Sequence, residues 1–178
     1  MRDLALNDHA PPFDLPGIDG QNHSLSGYAD ASVFVVVWSC NHCPYVQAYE
    51  NRLIALQRDF AGRGIRLVAI NSNNTATHPA DGFDQMVERA RQRKFNFDYL
   101  RDESQDVARA YGAQRTPEVF VFDAERRLRY HGGIDDSWDN ESGVTKTPLR
   151  SSVEALLRGE GPNPTNTPAV GCSVKWKS

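Results

Sequence analysis

The sequence predicts an α/β sandwich with a mixed central sheet and helices on both faces, and three observations predict it. Residues 33–38, Val-Phe-Val-Val-Val-Trp, form a continuous apolar run with heavy β-branching, the composition of a strand buried on both faces. Directly after it, Val46, Tyr49, Leu53, Leu56 and Phe60 recur at spacings of three and four, as an amphipathic helix requires. Farther on, residues 118–122 and 128–131 flank a polar turn and read as a hairpin, which supplies the antiparallel part of the sheet.

Taken in order, residues 1–31 read as an N-terminal hairpin extension, with short extended pieces at 13–15 and 21–25 joined through Asp19-Gly20. The strand at 33–38 leads into a helix that begins near Cys43-Pro44 and closes at Gly62 or Gly64; proline loses no hydrogen bond in a first helical turn. Residues 65–70 (IRLVAI) form a second buried strand. Phe83, Met86, Val87 and Ala90 mark a second helix, whose Arg89, Arg91, Arg93 and Lys94 read as a solvated face complementing the helix dipole. A short strand at 97–100 and a helix at 104–111 precede the hairpin. Thr147 and Pro148 read as N-cap and first residue of a last helix that closes at Gly159. Residues 159–178 read as an irregular tail with a bulky aromatic, Trp176, available to dock. The whole, 1–178, reads as a single domain.

Composition narrows the function. The chain has 178 residues, 39% hydrophobic and 24% charged, with formal net charge −3, which gives no general pull toward nucleic acid or anionic membrane. No stretch approaches the ~18 apolar residues of a membrane helix. The opening MRDLALNDHAPPF lacks a basic segment followed by an apolar one, so with Met1 as the start a cytoplasmic location is expected. Three cysteines are too few for a disulfide scaffold, but two of them sit as Cys40-Asn41-His42-Cys43.

A Cys-x-x-Cys between a buried strand and a helix is placed for redox work. Helix N–H groups and the dipole favour a thiolate there, and the second sulfur is close enough to resolve a mixed disulfide. The expected assignment is Cys40 as an exposed nucleophile at the helix N-terminus and Cys43 as the half-buried resolving thiol. Two rival readings compete. A structural zinc site needs four ligands, and Cys172, His9, His23, His78 and His131 are not paired at ligand spacing. Two core cysteines three apart by coincidence would leave the strand–helix context without meaning.

A second feature agrees. In Thr116-Pro117-Glu118, proline directly precedes an apolar strand, which is either a plain strand entry or a cis loop facing the cysteines. In the latter case the backbone of Thr116 is available for strand-like pairing with a substrate peptide. Strand, Cys-x-x-Cys, helix, then proline, hairpin and helix together resemble the thioredoxin superfamily. Residues 10–20 (APPFDLPGIDG), with Ser24-Leu25, are similar to the opening hairpin of its redoxin branch, the AhpC/TSA peroxiredoxins and TlpA/ResA reductases. Ile70-Asn71-Ser72-Asn73 and the ending GCSVKWK look like a peroxiredoxin-like subgroup that keeps a Cys-x-x-Cys. The resemblance implies a three-layer thioredoxin-like sandwich, with a strand–helix unit inserted in the long stretch between Cys43 and Pro117.

Departures from the family pattern set the alternatives. Peroxiredoxins resemble Pro-x-x-x-Thr/Ser-x-x-Cys at the peroxidatic site; here a valine and Cys40 stand where the proline and hydroxyl belong, while Cys43-Pro44 does match. Thioredoxins proper have Trp directly before the first Cys, whereas here Trp38 is two residues before it and reads as packing beside the cysteines. Phe34 occupies the place of their buried acid, and Glu118 is the candidate substitute, against a reading as a solvated strand entry. Asn41 and His42 fill the motif, and a cationic His42 would favour a Cys40 thiolate and a more oxidising couple. Cys172 is either a second resolving cysteine or a tail anchor. The expected function is thiol–disulfide exchange with a disulfide-containing protein partner, without a bound cofactor or metal, fed by a dithiol or small-thiol electron donor. The alternatives are a peroxidase using Cys43 on peroxide, and a metal-binding or copper-delivery protein.

Overall fold

The computed structural model describes residues 3–178; Met1 and Arg2, which begin the segment read for a leader, lie outside them. Five strands form the central sheet in the order β5-β4-β3-β7-β8. The apolar run is β3 (Val33–Trp38), buried at every position and placed in the middle of the sheet. It pairs in parallel with β4 (Ile65–Asn71) and antiparallel with β7 (Glu118–Phe122). β5 (Asp98–Arg101) extends the parallel side, and β8 (Leu128–Gly132) completes the hairpin with β7.

Alternation along β3 divides the core. Val33, Val35 and Val37 face a layer built from Tyr49, Leu53, Leu56 and Phe60 of α1 (Pro44–Phe60) and from Leu149 and Val153 of α4 (Pro148–Leu157). Met86 of α2 (Phe83–Arg93) packs beside them on Ala69 and Tyr99. Phe34, Val36 and Trp38 face the opposite layer, with Ala108 and Tyr111 of α3 (Asp106–Tyr111) and Phe13, Leu15 and Tyr28 of the N-terminal segment. This is the three-layer thioredoxin-like sandwich, and α2 and β5 fill the stretch between Cys43 and Pro117 where a further strand–helix unit is expected. No helix among the described residues is long and apolar enough to cross a membrane.

The N-terminal hairpin is β1 (Asp14–Pro16) against β2 (Asn22–Ser24), bridged to the β5 edge through Gly17 and Leu100. Three local expectations change. Thr147 stands at the N-cap of α4, but its side chain makes no cap hydrogen bond. Arg89 and Arg93 do not simply face solvent: both reach the buried Glu50 of α1, at 2.7 and 3.0 Å, and lash the two helices together. In the tail, Trp176 stays largely exposed against Arg109. What docks is the short strand β9 (Cys172–Ser173), paired antiparallel with β6 (Arg115–Thr116), with buried Val174 just beyond.

Candidate active site

β3 ends at Trp38 and the chain turns through residues 39–43 before α1 begins at Pro44. Cys43 takes the N-cap position with extended backbone, and Pro44 follows in the first turn. The helix begins at Cys43-Pro44 as expected, and it is Cys43, not Cys40, that stands at its N-terminus. Neither thiol is exposed: Cys40 is 2% accessible and Cys43 0%. Val46, Tyr45 and Cys172 pack around the two thiols, and the loop between them folds back onto a buried carboxylate that the sequence reading missed.

That carboxylate is Asp81, fully buried on a short turn before α2. It accepts the backbone N–H groups of Asn41 and His42 at 2.7 and 3.3 Å and the Asn73 amide at 2.8 Å. The His42 ring closes the set, with Nδ1 2.6 Å from Oδ2. Asn41 is fixed from its other side by the Tyr99 hydroxyl at 2.9 Å and by its own amide donating to the Ala80 carbonyl. His42 thus packs between Asp81 and the ring of His78 rather than pointing freely into solvent. A carboxylate so placed opposes a Cys40 thiolate, so His42 acts on that sulfur only together with a balancing negative charge.

Opposite the cysteines, Thr116-Pro117 is a cis peptide. Cys40 Sγ lies 3.7 Å from the Thr116 hydroxyl, and Cys43 Sγ lies 3.3 Å from the Thr116 carbonyl oxygen, to which a protonated thiol can donate. The backbone of Thr116 is not open for a peptide, however, because β9 occupies it, with Cys172 in register opposite Thr116. Cys172 Sγ stands 2.8 Å from Cys43 Sγ, and all three cysteines are free thiols.

The electrostatics of the two buried thiols diverge. Cys43 is pulled well below the ordinary thiol value, first by the hydrogen bond from Cys40, then by Cys172 and by the backbone N–H groups of Val46 and Cys172; burial opposes this. Cys40 is pushed upward by the same Cys43 contact, by burial and by the Asp81 charge. Cys172 is raised by burial and then by Cys43. Of the coupled pair, these contacts favour ionisation of Cys43 over Cys40.

Glu118 is buried rather than solvated. Its Oε2 accepts the N–H groups of Gln114 and Arg115 at 2.7 and 2.9 Å, and its Oε1 lies 2.7 Å from His131 Nε2. It fixes the loop leading into Pro117 and does not touch either sulfur of the pair. Trp38 faces away from the cysteines, donating to Ser72 at 3.1 Å and packing on Tyr111 and Phe120. Cys40, His42 and Asp81 bring three ligand atoms within 4.8 Å of one another and could hold a metal ion. Occupying Asp81 would forfeit donors that shape the loop, so this set reads better as a structural network.

The sequence signal for Asp81 was only a turn-like Pro-Ala-Asp-Gly, since its partners Asn41 and His42 lie about forty positions away in the chain. Comparison with known proteins agrees with this architecture. The AhpC/TSA family model matches residues 6–131. The chain is 37% identical to an uncharacterized conserved protein from Geobacillus kaustophilus, with a TM-score of 0.92 over 98% of this chain and 93% of the other. It is 25% identical over 128 residues to thiol-disulfide oxidoreductase ResA of Geobacillus thermodenitrificans, covering 71% of this chain and 68% of that protein. The thioredoxin domain of a thiol-disulfide oxidoreductase from Bacteroides vulgatus shares the fold at 16% identity, with a TM-score of 0.61 over 71% and 86% of the two chains.

Proposed function

Given that the chain belongs to the AhpC/TSA family, within the redoxin branch of the thioredoxin superfamily, we propose that it is a thiol-disulfide oxidoreductase acting on the disulfide of a protein partner. The observation that carries the reading is the pair of buried thiols, Cys40 and Cys43, at the entry to α1 and facing the cis Thr116-Pro117 loop. The resemblance to ResA supports the same class of reaction.

The roles follow from the charge. Cys43 thiolate attacks one sulfur of the partner's disulfide, which forms a mixed disulfide and releases the partner's other sulfur as thiolate. Cys40 then gives up its proton and attacks the Cys43 sulfur, which frees the partner's second thiol and closes Cys40–Cys43. This reverses the order expected from the motif, because the hydrogen bond from Cys40, and after it Cys172 and the backbone N–H groups of Val46 and Cys172, favour the thiolate on Cys43. A dithiol protein or small thiol returns the electrons. Thr116 bonds to both sulfurs across the site, and its backbone is the edge on which an extended partner segment can pair once β9 gives way.

Insulin reduction by the wild type, and by Cys40→Ser and Cys43→Ser each combined with Cys172→Ser so that no third thiol can resolve the adduct, tests the reading. Both variants are expected to stop turning over, and only Cys40→Ser is expected to accumulate a covalent mixed disulfide. Accumulation in Cys43→Ser instead would restore Cys40 as nucleophile. A peroxidase reading keeps one observation in its favour, the Cys43-Pro44 pair at the helix start with its lowered thiol. Peroxide turnover that survives Cys40→Ser and is lost in Cys43→Ser would establish it.

A further inference from the structure

The reading above uses two of the three thiols that the fold gathers at one point. We propose that Cys172 is a third exchanging thiol, a relay that carries the disulfide from the buried pair to the protein surface. The proposal rests on the exchange reading and extends it.

The tail is built to deliver this sulfur. It runs along the open edge of β8, exchanging backbone hydrogen bonds between His131 and Thr165 and between Thr167 and His131, both at 3.1 Å. Gly132 and Gly133 let it lie close, since a Cβ at Gly132 would stand 2.1 Å from the Thr167 carbonyl oxygen. At Gly171 the approach is equally tight: a Cβ there would stand 2.2 Å from the Thr116 carbonyl oxygen. Beyond Ser173, Val174 N–H donates to Gln114, and Lys175 is held by Asn73 and Asn74. These contacts seat Cys172 on Thr116 in the way an extended substrate would lie there, with its sulfur against Cys43 and not against Cys40. From 2.8 Å, less than an ångström of closure reaches the 2.03–2.05 Å of a disulfide.

The step balances without an outside oxidant. In the Cys40–Cys43 disulfide left by turnover, the Cys172 thiol loses its proton and attacks the Cys43 sulfur. The Cys40–Cys43 bond breaks as Cys43–Cys172 forms, and Cys40 leaves as thiolate and takes up a proton. The oxidation level is unchanged. What changes is access: Cys40 and Cys43 are closed to solvent, whereas Cys172 is half-buried. A reducing thiol arriving from solution attacks Cys172, and Cys43, the most acidic of the three thiols, is the leaving group; low-pKa thiols leave fastest.

The experiment oxidises the full-length wild type with one equivalent of insulin disulfide, blocks free thiols in acid, and maps linked peptides by mass spectrometry. Recovery of a Cys43–Cys172 peptide beside Cys40–Cys43 is expected. Stopped-flow reduction of the oxidised enzyme by glutathione is expected to slow about tenfold in Cys172→Ser and Cys172→Ala relative to the wild type. Cys40–Cys43 as the sole linkage, with both variants reduced at the wild-type rate, would overturn the relay and leave two-cysteine exchange standing. Insulin reduction that persists in Cys43→Ser would remove the exchange reading itself, and the relay with it.

Discussion

The two ends of the chain both cover sheet edges, but they are held there by different physics. The N-terminal segment brings Phe13, Leu15 and Tyr28 into the core, with Tyr28 stacked on Phe34 at 4.9 Å and donating to Asp98 at 2.7 Å. The tail buries little apart from Pro162 and Val174 and relies on hydrogen bonds, from its backbone and from the side chains of Asn73, Gln105 and Thr167, on the Lys177–Glu103 ion pair and on glycine contacts. Apolar burial couples a segment to global stability, whereas a strap of hydrogen bonds at the surface can open locally at low cost. The first end is therefore part of the fold, and the second is a removable cover over Cys43.

The largest test of that contrast is Tyr28→Ala, which is expected to lower the urea-unfolding free energy by about 3 kcal/mol through loss of a buried ring. A loss under about 1 kcal/mol would erase the distinction between the ends. Next comes Gly171→Ala, whose new methyl must push the strap off Thr116. Its global stability is expected to stay within about 1 kcal/mol of wild type, while alkylation of Cys40 and Cys43 accelerates at least about tenfold as local opening becomes easier. A protected pair in this variant would mean that the strap does not control access.

The third test concerns the covered thiolate. The folded value of Cys43 lies below that of an unfolded thiol, about 8.5. Its ionisation therefore adds stability that is complete above that pH and is lost as pH falls through the depressed folded value. Ultraviolet thiolate absorbance should accordingly persist below the ordinary thiol range. Cys40→Ala, which removes the largest cause, should move the transition upward; an unmoved transition would shift the cause to the helix N–H groups. The smallest effect is expected from Glu118→Gln, whose carbonyl still accepts the loop amides but whose NH2 requires His131 Nε2 to accept instead of donate, at a cost of about 1 kcal/mol by denaturant titration.

Legibility in the sequence followed the range of the interactions. β3, α1 and the Cys-x-x-Cys between them were readable because periodicity and a local motif state them within thirty residues. Pro117 was readable as an interruption before an apolar strand. Asp81 was not, because its meaning lies in donors supplied by Asn41, His42 and Asn73 from other segments. The β6–β9 pairing was equally hidden, since two-residue strands have no period and the glycine at 171 reads as a turn until Thr116 is seen against it. The depth of the cysteines was missed for the same reason. A motif shows which sulfurs are adjacent but not what lies over them.

The seating of Cys172 on Thr116 has a consequence for competition. A group tethered to its own target meets it at an effective concentration on the order of millimolar or higher, whatever the protein concentration. Any partner segment must therefore displace an intramolecular occupant before it pairs with Thr116. Its apparent affinity is reduced by the fraction of time the strap is closed. Selectivity then falls to partners that offer additional contacts outside the groove, because a bare disulfide in solution competes poorly with a tethered neighbour.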